Sequence, residues 1–410
     1  MVKLDNGLPV MYKKYPIDSF SMVFVVNYGS LYESKKENGI AHFLEHLLTK
    51  QTKNIPSEKL KNRLFDNAIF WNAMTGYEQI QFLFKAHKSK FDTIASTLSD
   101  ILINPNIDEK AVRLERGPVI TEMRGGDDKS PDAVASSKIT RAVLGEHPAT
   151  FTVADSMRAL RNYINVSKVK DTYSKYFTPD NSVLSVTGGI ELEKMLPVVN
   201  DLFGSWSGKF SGKTLSPAEY LPPSRRTFRL RGVDESMVVL GKGLPPASKQ
   251  NYDDVNCLTI ANSLLVKSLM LELREKTGIT YTPSSDNSHM TSFGINETSV
   301  SAFSPKYLNL IENTILTEID KLYKGEISHE AVEKVKENTV LSGLVSLGEE
   351  SFEIAEELGM AYAVLKDPTY PEALPHLFES ITMDDMRRVC SNHLNPDDFS
   401  VVVLKPYKKC

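Results

Sequence analysis

Tyr176-Phe177-Thr178-Pro179-Asp180-Asn181-Ser182-Val183 reads as a helix end, a Pro-Asp turn and the opening of a strand, and its pattern returns 217 positions later as His393-Leu394-Asn395-Pro396-Asp397-Asp398-Phe399-Ser400. Proline pre-sets φ for such a turn, and an Asp or Asn beside it bonds back to its own backbone. A second pair of stretches agrees: Ser21-Met22-Val23-Phe24-Val25 resembles Ser236-Met237-Val238-Val239-Leu240 at an offset of 215. Chance matches have no reason to fall at nearly the same offset, whereas a duplicated unit must place them so. The chain therefore reads as two α+β domains of one topology, residues 1–208 and 225–410. Each is expected to be a mostly antiparallel sheet with helices packed on one face. Residues 209–224, running from Lys209 to Pro222-Pro223-Ser224, have the Gly/Ser/Pro/Lys character of a linker.

The spacing of apolar residues fills in the units. Residues 22–26 and 79–85 read as strands. Residues 40–48, 57–65, 90–102, 109–122, 167–176 and 192–203 carry helical spacing in the first half, as do 253–271, 307–322 and 329–344 in the second.

Composition narrows the function classes. A chain of 410 residues exceeds the usual domain of roughly 100–200 residues. With 48 basic against 52 acidic side chains the formal charge is −4, which gives no electrostatic basis for nucleic-acid binding. No apolar run approaches the roughly 18 residues of a membrane span. Cys257, Cys390 and Cys410 are too few and too scattered for a disulfide framework, which fits a reducing compartment. The first residues show no signal-like segment, and a cytoplasmic location is the expectation.

The stretch richest in chemistry is His42-Phe43-Leu44-Glu45-His46. Residues i and i+4 share a helix face, so both imidazoles can aim at one point with the Glu45 carboxylate at its edge. Two histidines and a carboxylate in an otherwise apolar turn are costly to bury unless a metal or hydrogen bonds compensate them. Zinc accepts imidazole nitrogen, and a catalytic zinc site takes three protein ligands. Glu45 then suits a general base. The third ligand has to come from elsewhere, and the candidates are Glu115 and Glu122, two helical turns apart and so on one face.

Taken together, His42-Phe43-Leu44-Glu45-His46 and Glu122, 76 positions after His46, resemble the inverted zinc signature of the pitrilysin/insulysin and mitochondrial processing peptidase family. The resemblance implies His42, His46 and Glu122 as zinc ligands, Glu45 as the base, and Glu115 as the residue that orients a ligand histidine. Asn72-Ala73-Met74-Thr75 looks like the family's edge strand, whose main chain pairs with an extended peptide at Asn72, Ala73 and Met74. Leu273 to Tyr281 resembles its Arg/Tyr segment, which implies that Arg274 and Tyr281 contact bound peptide. One departure is Asn67-Ala68-Ile69-Phe70-Trp71, where the family often has glycines.

Shifting the histidine helix by 215 sets Cys257, Ile260 and Ala261 opposite His42, Glu45 and His46. The second copy is thus degenerate, and one zinc per chain is expected. The resemblance implies a zinc metalloendopeptidase of short, two-domain microbial type that cuts unfolded peptides in a closed chamber. Two chains would form that chamber as a clamshell homodimer, or a heterodimer with a second gene product, and Arg274 and Tyr281 of one chain would serve its partner's zinc. The competing reading is a non-catalytic assembly subunit of the same fold.

Overall fold

A computed structural model of the chain describes residues 1–125, 130–231, 233, 235–280, 283–349 and 351–407, with the backbone alone for 344–349 and 351. It contains two mixed α+β units. The first comprises Met1–Gly125, Phe151–Leu215 and Leu344–Pro371; the second comprises Gly126–Thr150, Ser216–Gly343 and Glu372–Cys410.

The first unit is built on strands β1 (Val2–Lys3), β2 (Pro9–Lys14), β3 (Ser19–Val26), β4 (Phe70–Thr75), β5 (Ile80–His87) and β6 (Ser182–Gly188), in the spatial order β1-β2-β6-β3-β5-β4. The second has β7 (Arg225–Leu230), β8 (Ser236–Leu244), β9 (Pro283–His289), β10 (Gly294–Phe303) and β11 (Ser400–Pro406), in the order β7-β11-β8-β10-β9. Apart from β1 the two sheets superpose strand for strand in connectivity. Each is antiparallel except for one parallel pair, β2 with β6 and β7 with β11. The two repeated sequence stretches fall on matching places. Pro179–Asn181 and Pro396–Asp398 form short 3-10 turns leading into β6 and β11, and the Ser-Met-Val stretches lie in β3 and β8.

Period-2 alternation explains the core. Phe20, Met22, Phe24 and Val26 of β3 face a large cluster with Ile40, Phe43, Leu44 and Leu47 of the helix Ile40–Lys50. The alternate residues Val23 and Val25 face Ile354, Ala355 and Leu358 of a second helix, Ser351–Leu365. The unbroken apolar run of β3 therefore reflects burial on both faces. The second sheet repeats this. Val238 and Leu240 face the helix Tyr252–Leu269, while Met237 and Val239 face Ala135, Ile139 and Ala142 of the helix Pro131–Leu144.

Contiguous halves are thus not the packing units. Residues 131–144 come from the first half of the chain and cover the second sheet, and residues 351–365 come from the second half and cover the first. The segment 209–224 is likewise divided, ending the first unit at Leu215 and entering the second at Ser216. Among the described residues no helix is long and apolar enough to cross a membrane.

Candidate metal centre

Three elements of the first unit build the site: the helix Ile40–Lys50, the helix Glu109–Gly125 and the strand β4. The first of these helices opens at Gly39, whose φ of 87° is the left-handed conformation that glycine adopts at least cost. Its start is held by Glu33, a fully buried carboxylate that accepts from the backbone amides of Gly39 (2.7 Å) and Ala41 (2.8 Å) and from Asn38 Nδ2 (3.1 Å). Burial pushes the Glu33 carboxyl up to about 8, against the pull of those donors.

One turn apart on this helix, the Nε2 atoms of His42 and His46 lie 3.1 Å from each other, with the rings edge to face. Glu122 reaches them from the second helix, its Oε1 3.4 Å from His42 Nε2 and its Oε2 3.2 Å from His46 Nε2. Two turns before Glu122, Glu115 Oε1 sits 3.3 Å from His46 Nδ1, and its other oxygen lies 3.1 Å from Lys50 Nζ. The seven-residue spacing does put both carboxylates on one face. Glu115 is nearly inaccessible, whereas the Glu122 side chain is 59% exposed.

This donor set fits zinc. One ring nitrogen of each histidine and one Glu122 oxygen all lie within 4.8 Å of one another, close enough to share an ion, and imidazole nitrogen and carboxylate oxygen are both ordinary zinc ligands. Glu115 facing Nδ1 keeps the ring proton there and turns the Nε2 lone pair inward. Burial holds His42 below the ordinary imidazole range, against the nearby Glu45 and Glu122 carboxylates, which favours the neutral ligand form. Burial also pulls on His46, but the Glu115 hydrogen bond and the surrounding carboxylates leave it raised. The same His46 contact, with Lys50 beyond it, holds Glu115 below the usual carboxylate range. Among the described residues, His42, His46 and Glu122 are the group of His, Cys, Asp or Glu side chains close enough to share an ion.

Glu45 is buried beside this triad and accepts a 2.7 Å hydrogen bond from Thr75 Oγ1, at the end of β4. Asn72, Ala73 and Met74 lie on that strand, paired with Leu83, Phe82 and Gln81 of β5. β4 is the last strand in its sheet, so its other main-chain edge is unpaired among the described residues. Next to Glu45 and His46 a cavity of about 300 Å³ is lined by Leu60, Leu64, Trp71 and Lys50. Ahead of the strand, Ala68 takes a φ of 53°, the left-handed conformation for which glycine is the usual residue. Phe70 stacks edge to face on Phe352.

Arg274 lies in the second unit, on the wide turn Met270–Glu275, with its Nε 3.9 Å from Glu275 Oε1; Tyr281 is outside the described residues. Cys257, Ile260 and Ala261 are buried apolar positions on Tyr252–Leu269. In place of charged groups, that helix meets its sheet through amide hydrogen bonds, Asn262 Nδ2 donating to the Ser285 carbonyl and Asn287 Nδ2 to the Leu258 carbonyl (2.9 Å). Two participants escape a reading of the sequence, Glu33 and Lys50, and Thr75 is read there only as part of the edge strand, without its bond to Glu45. Lys50 stands four residues after His46 and so on the same helix face, but its partner Glu115 comes from the other helix.

Comparison with known proteins agrees with this architecture. The family description "Insulinase (Peptidase family M16)" matches residues 10–155, and "Peptidase M16 inactive domain" matches residues 163–339. An uncharacterized zinc protease of Rickettsia felis is 26% identical over 94% of this chain and 92% of its own length. The mitochondrial-processing peptidase subunit beta of Saccharomyces cerevisiae is 25% identical over 98% of this chain and 90% of its own. The crystal structure of a protease from Helicobacter pylori has the same fold, with a TM-score of 0.88, 23% identity and coverage of 99% of this chain and 98% of that one. The two family descriptions between them span the greater part of the sequence, and the chain belongs to the insulinase family of peptidases, family M16.

Proposed function

We propose that this protein is a zinc-dependent endopeptidase that cuts extended, unfolded peptides. The observation that carries the reading is the convergence of His42, His46 and Glu122 beside a buried Glu45, next to a sheet edge that is unpaired among the described residues. His42, His46 and Glu122 would hold the ion, which when bound supplies Lewis acidity toward a carbonyl oxygen and makes a water easier to deprotonate. Asn72, Ala73 and Met74 pair through their backbone with the peptide, which fixes its direction and reads shape more than sequence. Glu45 takes a proton from the attacking water at its free carboxylate oxygen and later delivers it to the leaving amine. Glu115 and Lys50 hold His46 in the ligand tautomer.

The peptide is enclosed in a chamber that admits unfolded chains and excludes folded proteins. Two chains close that chamber, and Arg274 and Tyr281 of one chain donate hydrogen bonds to peptide at its partner's zinc. A mixture of Glu45→Gln and Arg274→Ala chains then regains activity that neither has alone; no recovery would rule out the trans arrangement.

The principal test is cleavage of a quenched peptide pool with and without chelator, alongside zinc content. Glu45→Gln is expected to keep one zinc and lose cleavage by about 10²–10⁴-fold. Full activity in that variant, or loss of its zinc, refutes the assignment of the base. Zinc binding by the wild type with no cleavage of any peptide would favour the non-catalytic subunit instead.

A further inference from the structure

Glu45 is a carboxylate on a helix whose two neighbouring functional residues point at the ion site, and nothing in the helix itself selects the rotation of its carboxylate plane. Thr75 supplies that selection. Its hydroxyl lies 2.7 Å from Glu45 Oε2, a donor–acceptor pair of the charge-assisted kind. Trp71, Ala73 and Thr75 form the half-buried set of β4, and Phe70, Asn72 and Met74 the exposed one, so Thr75 faces the histidine helix because of strand alternation.

Thr75 is itself fixed from two directions. Its register opposite Ile80 sets it along the sheet. The turn that follows is anchored by Ser30 N to the Gly76 carbonyl (3.1 Å) and Leu31 N to the Tyr77 carbonyl (2.8 Å). That approach requires glycine at position 29, where a Cβ would lie 2.5 Å from two carbonyl oxygens. The anchoring segment runs on to Glu33, which grips the start of the histidine helix. Strand end and helix start are therefore tied to the same five residues.

We propose that Thr75 is a positioning residue for the base. It commits one oxygen of Glu45, leaving the other to receive the proton of the attacking water. Because it ends the strand on which peptide pairs, it also couples the seating of that strand to the orientation of the base. Thr75 gives up no proton in the reaction and touches no reacting atom. The inference rests on the peptidase reading and adds a residue to it.

The experiment compares Thr75→Val, which keeps shape and removes the donor, with Thr75→Ser, which keeps the donor. Thr75→Val is expected to lower kcat by about 10- to 100-fold with KM within about twofold and one zinc retained, and Thr75→Ser to recover most of the loss. Unfolding of the metal-free protein gives a readout independent of activity. The melting-point shifts of Thr75→Val and Glu45→Ala are expected to be non-additive in the double variant, because both remove the same contact. Additive shifts, an unimpaired Thr75→Val enzyme, a Thr75→Ser variant as damaged as Thr75→Val, or a defect confined to KM would each overturn the proposal. A wild-type chain that cleaves nothing defeats the peptidase reading and this role together, whereas a cleaving wild type with an unimpaired Thr75→Val variant defeats this role alone.

Discussion

At His46 the two ring nitrogens face different partners: Nε2 points to His42 and Glu122, and Nδ1 to Glu115, whose far oxygen meets Lys50. A glutamine at 115 keeps the size of the side chain and removes its charge, so Lys50 loses its counterion and the His46 tautomer loses its strongest restraint. Glu115→Gln is expected to weaken zinc binding by about 10- to 100-fold while the fold persists, as measured by competition with a graded series of chelators. Unchanged affinity would mean that Glu115 serves packing rather than the ligand. How much of this arrangement the sequence discloses depends on distance along the chain. His42, Glu45 and His46 lie within one helical turn, so their convergence follows from 3.6 residues per turn. The spacing of Glu115 and Glu122 shows that they share a face but not which helix they face, and that came from the family resemblance. Lys50 sits in the last turn of its helix, where a cation is expected for the helix dipole alone, and this masks its contact with Glu115.

Elements are positioned by contacts whose residues look ordinary. Glu33 stands in no motif of the sequence, yet it is buried and caps the helix that carries both histidines. Its carboxyl is pushed up to about 8 by burial, whereas a glutamate in the unfolded chain titrates near its ordinary 4.5. Between those values the folded protein retains a proton that the unfolded chain has released. This contribution to stability is therefore complete below about 4.5 and declines as pH rises toward 8, on the order of a few kcal/mol. Glu33→Gln cannot titrate, so urea unfolding at pH 5 and pH 8 is expected to show a steeper loss in the wild type than in the variant. Parallel losses would place the Glu33 proton elsewhere. Strong apolar periodicity made most helices of the first unit legible, including Ser57–Phe65 and Leu192–Phe203. The helices Pro131–Leu144 and Ser351–Leu365 escaped, since each presents its apolar face to a sheet formed by distant sequence.

Over the whole molecule, the exchange of those two helices decides what can fold alone. A fragment of residues 1–208 has every strand of the first sheet but lacks Ile354, Ala355 and Leu358, which cover Val23, Val25 and Leu83. Each large aliphatic side chain left bare forfeits about 1.5–3 kcal/mol, comparable in sum to the stability of a typical domain. The fragment is expected to aggregate or remain unfolded by circular dichroism and size-exclusion chromatography, and to recover on adding residues 344–371 through a linker. A soluble, zinc-binding 1–208 fragment would show the covering helix to be dispensable. The sequence did carry a trace of this cover, because the run Met22–Val26 lacks the polar alternation of a half-exposed strand. It could not say which segment supplies it. The central claim, that two histidines from one helix and a carboxylate from another hold a single ion, is tested most directly by anomalous diffraction at the zinc edge on crystals grown with zinc. The account predicts one strong peak per chain within about 2.0–2.2 Å of His42 Nε2, His46 Nε2 and a Glu122 oxygen. A peak at other residues, or none between these three, would contradict it.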